Sequence, residues 1–260
     1  ALELARAHQE RRIEKGAVII ERPDITINLE GAGENITVSL DEDPLAPKAH
    51  LLVSELMVLT NAALAAWAKE HGVTLLHRTQ DVAIPKEFSG IWQTPLEIAR
   101  VVKALAPAVL ETNPRPHAGL GEAMYAPSTS PLRRYPDMIN ETQFISLLRD
   151  GKPRWSKEEL DTLLPLLNAH LDAAGQVQRF RPRYWKLLYF KQQGDRWWPA
   201  VITDENDAFV TVNMPKEQMI VRARRQFFGE RTHPGQELEI RLGKGHPLQN
   251  DFQLLETREI

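Results

Sequence analysis

The sequence contains no cysteine. This absence excludes disulfide bonds, zinc sites built on thiolates and thiol nucleophiles. Any chemistry therefore falls to carboxylates, histidines and arginines. A metal, if one is bound, is expected to be a hard cation held by oxygen atoms.

A long hydrophobic run is the second absence. No window approaches the roughly 18 consecutive apolar residues of a membrane span. The first residues, ALELARAHQERR, also lack the apolar stretch of a signal peptide. We therefore expect a cytoplasmic protein with no membrane partner.

An excess of positive charge is the third absence. The chain has 32 Lys and Arg against 35 Asp and Glu, a formal net charge of -3, whereas nucleic-acid-binding proteins are usually strongly basic. Two local clusters stand out instead: Arg179, Arg181, Arg183 and Lys186, then Arg222, Arg224, Arg225 and Arg231. Each cluster alone is equally well explained as a solvated surface.

The pattern of the 260 residues predicts two domains of the α+β class. Residues 1–192 are rich in helical patterns. Residues 193–260 contain five short β-type runs, WWPAVIT, AFVTVNM, MIVRAR, ELEIRL and FQLLET, separated by turn residues. Five strands in about 65 residues favour a five-stranded OB-fold barrel, whose usual ligands are oligonucleotides or oligosaccharides.

Helix and turn signals organise the first part of the chain. A charged helix ends at Gly16, a hairpin is expected near residues 17–40 from AVIIERP and ITVSL around GAGEN, and apolar periodicity predicts a helix over residues 48–70. Capping boxes at TPLE (residues 94–97) and SKEE (residues 156–159) predict two further helix starts. The last helix is expected to be interrupted at Pro165 and Gly175.

Residues 117–137 carry the strongest chemical signal. Ser130 and Pro131 predict a helix start, which places Arg133 in the first turn, where a cation opposes the helix dipole. A bound phosphate would reverse that penalty, and pairing of an arginine with Asp137 is the alternative. Pro136 would fall beyond the first turn and should kink or restart the helix.

The segment HAGLGEAMYAPSTSPLRRYPDMI resembles the signature of the ribonuclease II and ribonuclease R family, the RNB-type exoribonucleases. HLLVSELMVLTNAALAAW is similar to the family helix that precedes it, and GAVIIERPDITINL to the strand pair before that helix. RPRYWKLLYF followed by a barrel matches the family's junction with its closing OB-fold. The resemblance covers essentially the whole chain.

The resemblance implies a magnesium-dependent, hydrolytic 3′-to-5′ exoribonuclease that degrades single-stranded RNA processively to 5′-nucleoside monophosphates. The family's magnesium-binding aspartates lie upstream of this chain, in the same parent protein or in an accompanying fragment, so the chain alone is expected to be incomplete. Asp41, Glu42 and Asp43 do not match that motif and are interpreted as solvated. We expect a monomer; the alternative function is a non-catalytic single-stranded RNA-binding module.

Arg133 matches the family arginine that contacts the phosphate at the scissile end, so we predict an electrostatic catalytic role for it. The other predicted RNA contacts are Thr129, Ser130, Arg134, Tyr125, Tyr135, His117, Arg78, Arg179, Arg222, Arg224 and Arg225. For the tyrosines and the histidine, core packing is an equal alternative. The chain departs from the family pattern at Ser54-Glu55, Glu141 and Gln178, which puts the inheritance of product-end contacts in doubt.

Aromatic residues alternate with arginines in the predicted barrel. Rings and guanidinium groups together suit single-stranded RNA, by stacking and by charge. We expect two or three of the five rings to fill the barrel instead. The five are Trp197, Trp198, Phe209, Phe227 and Phe228.

Overall fold

A computed structural model describes residues 1–43, 47–229 and 231–260. Along the chain its helices and strands are α1 (Leu2–Glu14), β1 (Val18–Ile20), β2 (Ile25–Glu30), β3 (Thr37–Glu42), α2 (Pro47–Glu70), β4 (His77–Thr79), β5 (Gly90–Trp92), α3 (Pro95–Ala104), β6 (Val109–Glu111), α4 (Tyr135–Asp150), α5 (Lys157–Gln192), β7 (Trp197–Glu205), β8 (Phe209–Met214), β9 (Met219–Arg224), β10 (Glu237–His246) and β11 (Asp251–Glu259). The mixture of helices and antiparallel sheet confirms the α+β class.

The chain forms two compact units. The first comprises Ala1–Ile20, Ala46–Trp92 and Val101–Asp172, and the second comprises Glu21–Leu45, Gln93–Arg100 and Ala173–Ile260. The last twenty residues of α5 thus group with the strands that follow them. The predicted boundary between residues 192 and 193 stays a prediction.

The core of the first unit forms where α2, α4 and the start of α5 pack with the strand β4 region. One cluster joins the small residues Ala65 and Ala68 of α2 to Leu75. A second cluster contains Leu76, Ile139, Leu160 and Leu167. Leu75 and Leu76, directly before β4, pack into different clusters. The segment before β4 therefore packs against α2 on one side and against α4 and α5 on the other.

Several predicted helix boundaries are confirmed. Gly16, with φ of +98°, follows α1. Thr94 and Glu97 form the reciprocal capping bonds at the start of α3. Ser156 and Glu159 do the same at the start of α5. These local signals succeed because each satisfies amide groups that the first helical turn leaves free.

The expected hairpin partner was wrong for the run AVIIERP. The hairpin forms between β2 and β3, in the register Ile27 to Leu40, around the GAGEN turn. Strand β1 instead pairs in parallel with β5, with Ile19 opposite Ile91. Alternation within a strand identifies the strand but carries no information about a partner some seventy residues away.

The expected interruption of the last helix was also wrong, because α5 is continuous over 36 residues. Pro165 lies on its exposed side, while Leu160 and Leu167 on the other side are buried. A proline inside a helix costs about 3 kcal/mol. Burial of the leucines on either side offsets that cost.

The second unit is built on a curled, five-stranded antiparallel half-barrel of the OB type, in the order β11-β10-β7-β8-β9. All five predicted runs are strands. Trp198 and Phe228 are buried in its core, and the remaining three predicted rings are partly or largely exposed. Two of the five rings therefore fill the barrel, as expected. The buried cluster also contains Leu187 and Phe190, from the end of α5.

Helix α2 is long and apolar enough to cross a membrane by length and composition, the one such helix among the residues described, with 28% of its most apolar window buried. A packed helix of a soluble protein passes the same test. Glu55 and Asn61 of α2 are fully buried and hydrogen-bonded to other parts of the first unit.

Candidate functional site

The start of α4 differs from the predicted one. The helix begins at Tyr135 with Arg134 as its N-cap residue, not at Ser130. Pro136 therefore lies in the first turn, where a helix needs no amide hydrogen. Of the two predicted outcomes at Pro136, the kink was wrong and the helix instead starts there, four to five residues later than the Ser-Pro signal indicated.

Asp137 anchors the turn before α4. Its buried Oδ1 accepts hydrogen bonds from the backbone amide of Ser130 at 2.9 Å and from Nη2 of Arg134 at 2.6 Å. The amides of Arg133 and Arg134 both donate to the Ser130 carbonyl. The backbone amides of Ser130, Arg133 and Arg134 are therefore bonded within the protein and are not available to a phosphate.

Arg133 differs from its neighbour Arg134. Its side chain is exposed, and its one hydrogen bond runs from Nη2 to the Ser130 hydroxyl at 3.3 Å. Within residues 1–43, 47–229 and 231–260 it forms no ion pair. The Asp137 pairing considered from the sequence is thus realised by Arg134, and the Arg133 guanidinium keeps its positive charge available for an anion.

Asn61 holds the loop that leads to this turn. Its Nδ2 donates to the Tyr125 hydroxyl at 2.8 Å and to Oγ1 of Thr129 at 3.3 Å. Its Oδ1 accepts from the amide and the hydroxyl of Ser128, at 3.0 and 2.8 Å. Asn140 of α4 holds the same loop through the Pro127 carbonyl at 2.8 Å.

Sequence reasoning missed both asparagines. The available signal was a polar residue within a helix whose neighbours are apolar, because a buried amide must find hydrogen-bond partners. That signal indicates that partners exist without identifying them.

An open groove of about 380 Å³ lies beside the loop. Its wall includes the polar residues Thr129 and Glu141, together with Thr60 and Ser128. Leu64, Phe144 and Ile145 complete the lining. Glu141 is one of the positions where the chain departs from the family pattern, and here it faces a cavity.

His117 is buried with its ring edge towards Tyr125, at 5.9 Å between ring centres. Burial, with smaller effects from the nearby charges of Arg78 and Arg12, lowers the pKa of His117 to about 4. The imidazole is therefore neutral at pH 7. It brings no positive charge to a phosphate.

The two predicted tyrosines have different environments. Tyr125 is buried and bonded to Asn61, whereas Tyr135 is half exposed at the start of α4.

Arg78 is exposed on β4, and its backbone amide donates to the Tyr125 carbonyl at 2.9 Å. Strand β4 thus brings the backbone of Arg78 next to the loop, and its contact with RNA stays a prediction.

At Ser54-Glu55, where the chain departs from the family pattern, Glu55 has a structural role. Glu55 is buried and accepts two bonds from Arg12, from Nη2 at 2.6 Å and from Nε at 3.0 Å. His8 donates to it from Nδ1 at 2.7 Å, and the Arg12 Nη1 reaches the Leu120 carbonyl at 3.0 Å. This network ties α1 and α2 to the turn that follows His117.

The other predicted contacts belong to the second unit. The Arg222 guanidinium lies 4.4 Å from the centre of the Phe209 ring, and Arg225 pairs with Glu205 at 3.2 Å. Arg179 and Arg224 are exposed and have no acidic partner among the described residues. The structure therefore divides the twelve predicted residues, eight in the first unit and four in the second.

No three His, Asp or Glu side chains converge in a way that could hold a metal ion, in the part of the chain that the structure describes. Asp41 and Asp43 are bound instead by Asn28 and Thr26 across the β2–β3 hairpin. The residues present thus do not fit a magnesium site.

Two curated proteins are similar along much of the chain. An uncharacterized ribonuclease of Synechocystis sp. is 24% identical over 98% of the chain, which spans 38% of that protein. Ribonuclease II, chloroplastic/mitochondrial, of Arabidopsis thaliana is 25% identical over 81% of the chain, which spans 26% of that protein. The chain is thus much shorter than these relatives.

Solved structures share the fold. RNase R of Mycoplasma genitalium superposes with a TM-score of 0.78 at 16% identity, over 97% of this chain and 48% of that one. The same protein in complex with ribose-methylated single-stranded RNA gives 0.74, over 98% and 48%. Yeast Ssd1, a pseudonuclease, gives 0.55 at 14% identity, over 80% and 30%. At these identities the likeness shows the fold alone.

The family itself is shown by the first part of the chain. Residues 1–150 match the RNB domain family. This range includes the Asn61 helix, the loop from His117 to Thr129 and the whole of α4, so the candidate site lies inside the match. The chain belongs to the RNB domain family.

Proposed function

We propose that this chain forms the RNA-holding part of a hydrolytic 3′-to-5′ exoribonuclease that degrades single-stranded RNA processively to 5′-nucleoside monophosphates. Its family and its ribonuclease relatives support an RNA-degrading role. A cytoplasmic location and a monomeric state belong to the same proposal.

Arg133 is the observation that carries the proposal. Its guanidinium is exposed and has no ion pair among the described residues, while the adjacent Arg134 is held by Asp137. Two neighbouring arginines therefore have different tasks. Arg134 stabilises the turn, and Arg133 is left to bind an anion such as the terminal phosphodiester of RNA.

Such a contact gains strength as the reaction proceeds. Negative charge grows on the phosphoryl oxygens in the transition state, and a fixed guanidinium stabilises that charge more than the ground state. The bond from Arg133 to the Ser130 hydroxyl limits the positions that the side chain adopts. Arg78, also exposed beside the loop, would bind the strand further along.

Magnesium is part of the proposal, with its carboxylate ligands supplied from outside this chain, in a longer protein or an accompanying one. The metal would activate a water molecule and polarise the scissile phosphodiester. Support comes from the family resemblance and from the greater length of the relatives. This chain would contribute its guanidinium and hydroxyl groups.

The test is an Arg133→Ala variant of the complete protein. Turnover of a 5′-labelled oligoadenylate should fall about 10²-fold, with a much smaller change in RNA affinity. Arg149→Ala, which removes an exposed arginine at the other end of α4, is the matched control and should leave both quantities unchanged. Equal losses of turnover and affinity would argue for binding without catalysis.

A non-catalytic RNA-binding module is the second candidate. It is favoured by the fold shared with a pseudonuclease and by the lack of an acidic cluster among the residues described. The two candidates are separated by incubating the complete protein with 5′-labelled RNA and Mg²⁺. Conversion of the RNA to a short 5′-labelled end product supports the nuclease, whereas binding of intact RNA supports the module.

A further inference from the structure

The orientation of the Asn61 amide is fixed by its surroundings. Its Oδ1 faces the backbone amide of Ser128, which can only donate a hydrogen bond. The oxygen must therefore lie on that side and the NH₂ group on the other. It follows that Asn61 donates to the hydroxyls of Tyr125 and Thr129 and accepts from neither.

Thr129 is a donor for the same kind of reason. Its hydroxyl oxygen accepts from Nδ2 of Asn61 and from Nη2 of Arg134, each at 3.3 Å. A hydroxyl has two acceptor lone pairs and one hydrogen to donate. With both lone pairs used, the hydrogen is all that remains, and no described residue accepts it.

The free donor lies where a ligand can reach it. Thr129 is half-buried and lines the 380 Å³ groove, and its other neighbours include the turn that holds Arg133. A hydrogen-bond donor next to the turn that carries the unpaired guanidinium of Arg133 matches an anionic oxygen. A phosphate oxygen of RNA has this chemistry.

We propose that Asn61 is a positioning residue which, together with Arg134, fixes the Thr129 hydroxyl as a hydrogen-bond donor to a phosphate oxygen of bound RNA. The proposal rests on the RNA-binding function argued above. Asn61 is buried and does not touch the ligand, so its amide acts through Thr129.

Two substitutions of Asn61 separate this role from simple packing. Asn61→Asp keeps the size and the acceptor for Ser128, but a carboxylate would accept the Thr129 hydrogen and turn it away from the groove. Asn61→Ala removes the bond and leaves the hydroxyl free to rotate. The turnover of oligoadenylate by the complete protein should fall about tenfold or more in Asn61→Asp. The fall should be at least as large as that in Asn61→Ala.

Gln143→Ala is the matched control for stability. Gln143 is equally buried and makes three side-chain bonds, but to Thr74 and Trp155, away from the loop. A purely structural role predicts that the loss of turnover in each Asn61 variant follows the fall in its thermal midpoint, as in Gln143→Ala. That result would overturn the proposal.

A pair of substitutions at Thr129 tests the donor directly, also in case the Asn61 variants fail to fold. Thr129→Val keeps the shape without the hydroxyl, and Thr129→Ser keeps the hydroxyl. We expect Thr129→Ser to retain about tenfold more turnover than Thr129→Val. Equal activities would refute the donor role.

Measurements on the wild-type protein and on Arg133→Ala distinguish failure of the proposed function from failure of this inference alone. If the wild type neither binds nor degrades oligoadenylate at low salt, the proposed function and this inference both fail. If Arg133→Ala behaves as expected while Thr129→Val matches Thr129→Ser, this inference alone fails.

Discussion

Removing the carboxylate of Glu55 should destabilise the first unit strongly. Glu55 is 2% exposed and Arg12 is 5% exposed, so neither partner is solvated. In Glu55→Ala the guanidinium would keep one bond, to the Leu120 carbonyl, and would lose two. Breaking a buried pair from one side costs about 3–5 kcal/mol, a large part of the 5–15 kcal/mol that holds a typical domain folded.

The measurement is urea unfolding followed by far-UV circular dichroism. The expected result is a lower free energy of unfolding at an unchanged denaturant slope. Arg115→Ala is the comparison, because Arg115 also forms a two-bonded pair, with Glu111, but is half exposed. Solvent screens that pair, so its removal should change the midpoint little.

A double variant identifies the cause. Arg12→Met combined with Glu55→Leu removes both charges and fills a similar volume, so most of the lost stability should return. Recovery would show that an unpaired buried charge caused the loss. If Glu55→Ala proves no more harmful than Arg115→Ala, then Arg12 is rehydrated at little cost, and the reasoning from burial is refuted.

Two further predictions concern pH and helix capping. The pKa of both His77 and His117 is lowered to about 4, mainly by burial, below the 6.5 of an unfolded chain. Their contribution to the free energy of unfolding is therefore complete above pH 6.5 and is lost as the pH falls towards 4. The free energy of unfolding should fall by at most about 1.4 kcal/mol per pH unit for each histidine, and His117→Gln should flatten this slope; an unchanged slope would exclude His117 as a source. Ser156→Ala should cost about 1 kcal/mol by removing the N-cap of α5, with Ser146→Ala, a serine inside α4, as the control; equal thermal midpoints for the two variants would contradict the capping role.

The candidate site shows where sequence reasoning succeeded and where it failed. The motif located Arg133, Arg134 and their loop, because rare residues in a fixed order identify a family segment. It misplaced the start of α4, since Ser130-Pro131 has the composition of a cap but Asp137 takes the Ser130 amide. Capping residues indicate which groups can satisfy amides, while competition among nearby acceptors decides which one does.

The sequence by itself determined the α+β class, the five strands of the half-barrel and most helix limits, because periodicity and capping are local properties. Only the tertiary structure decided which groups are free to act. Asn61 and Thr129 are 68 positions apart, and their hydrogen bond exists only once α2 and the loop are packed together. The donor or acceptor state of a hydroxyl depends on all its neighbours at once, and the chain brings those neighbours together only when it folds.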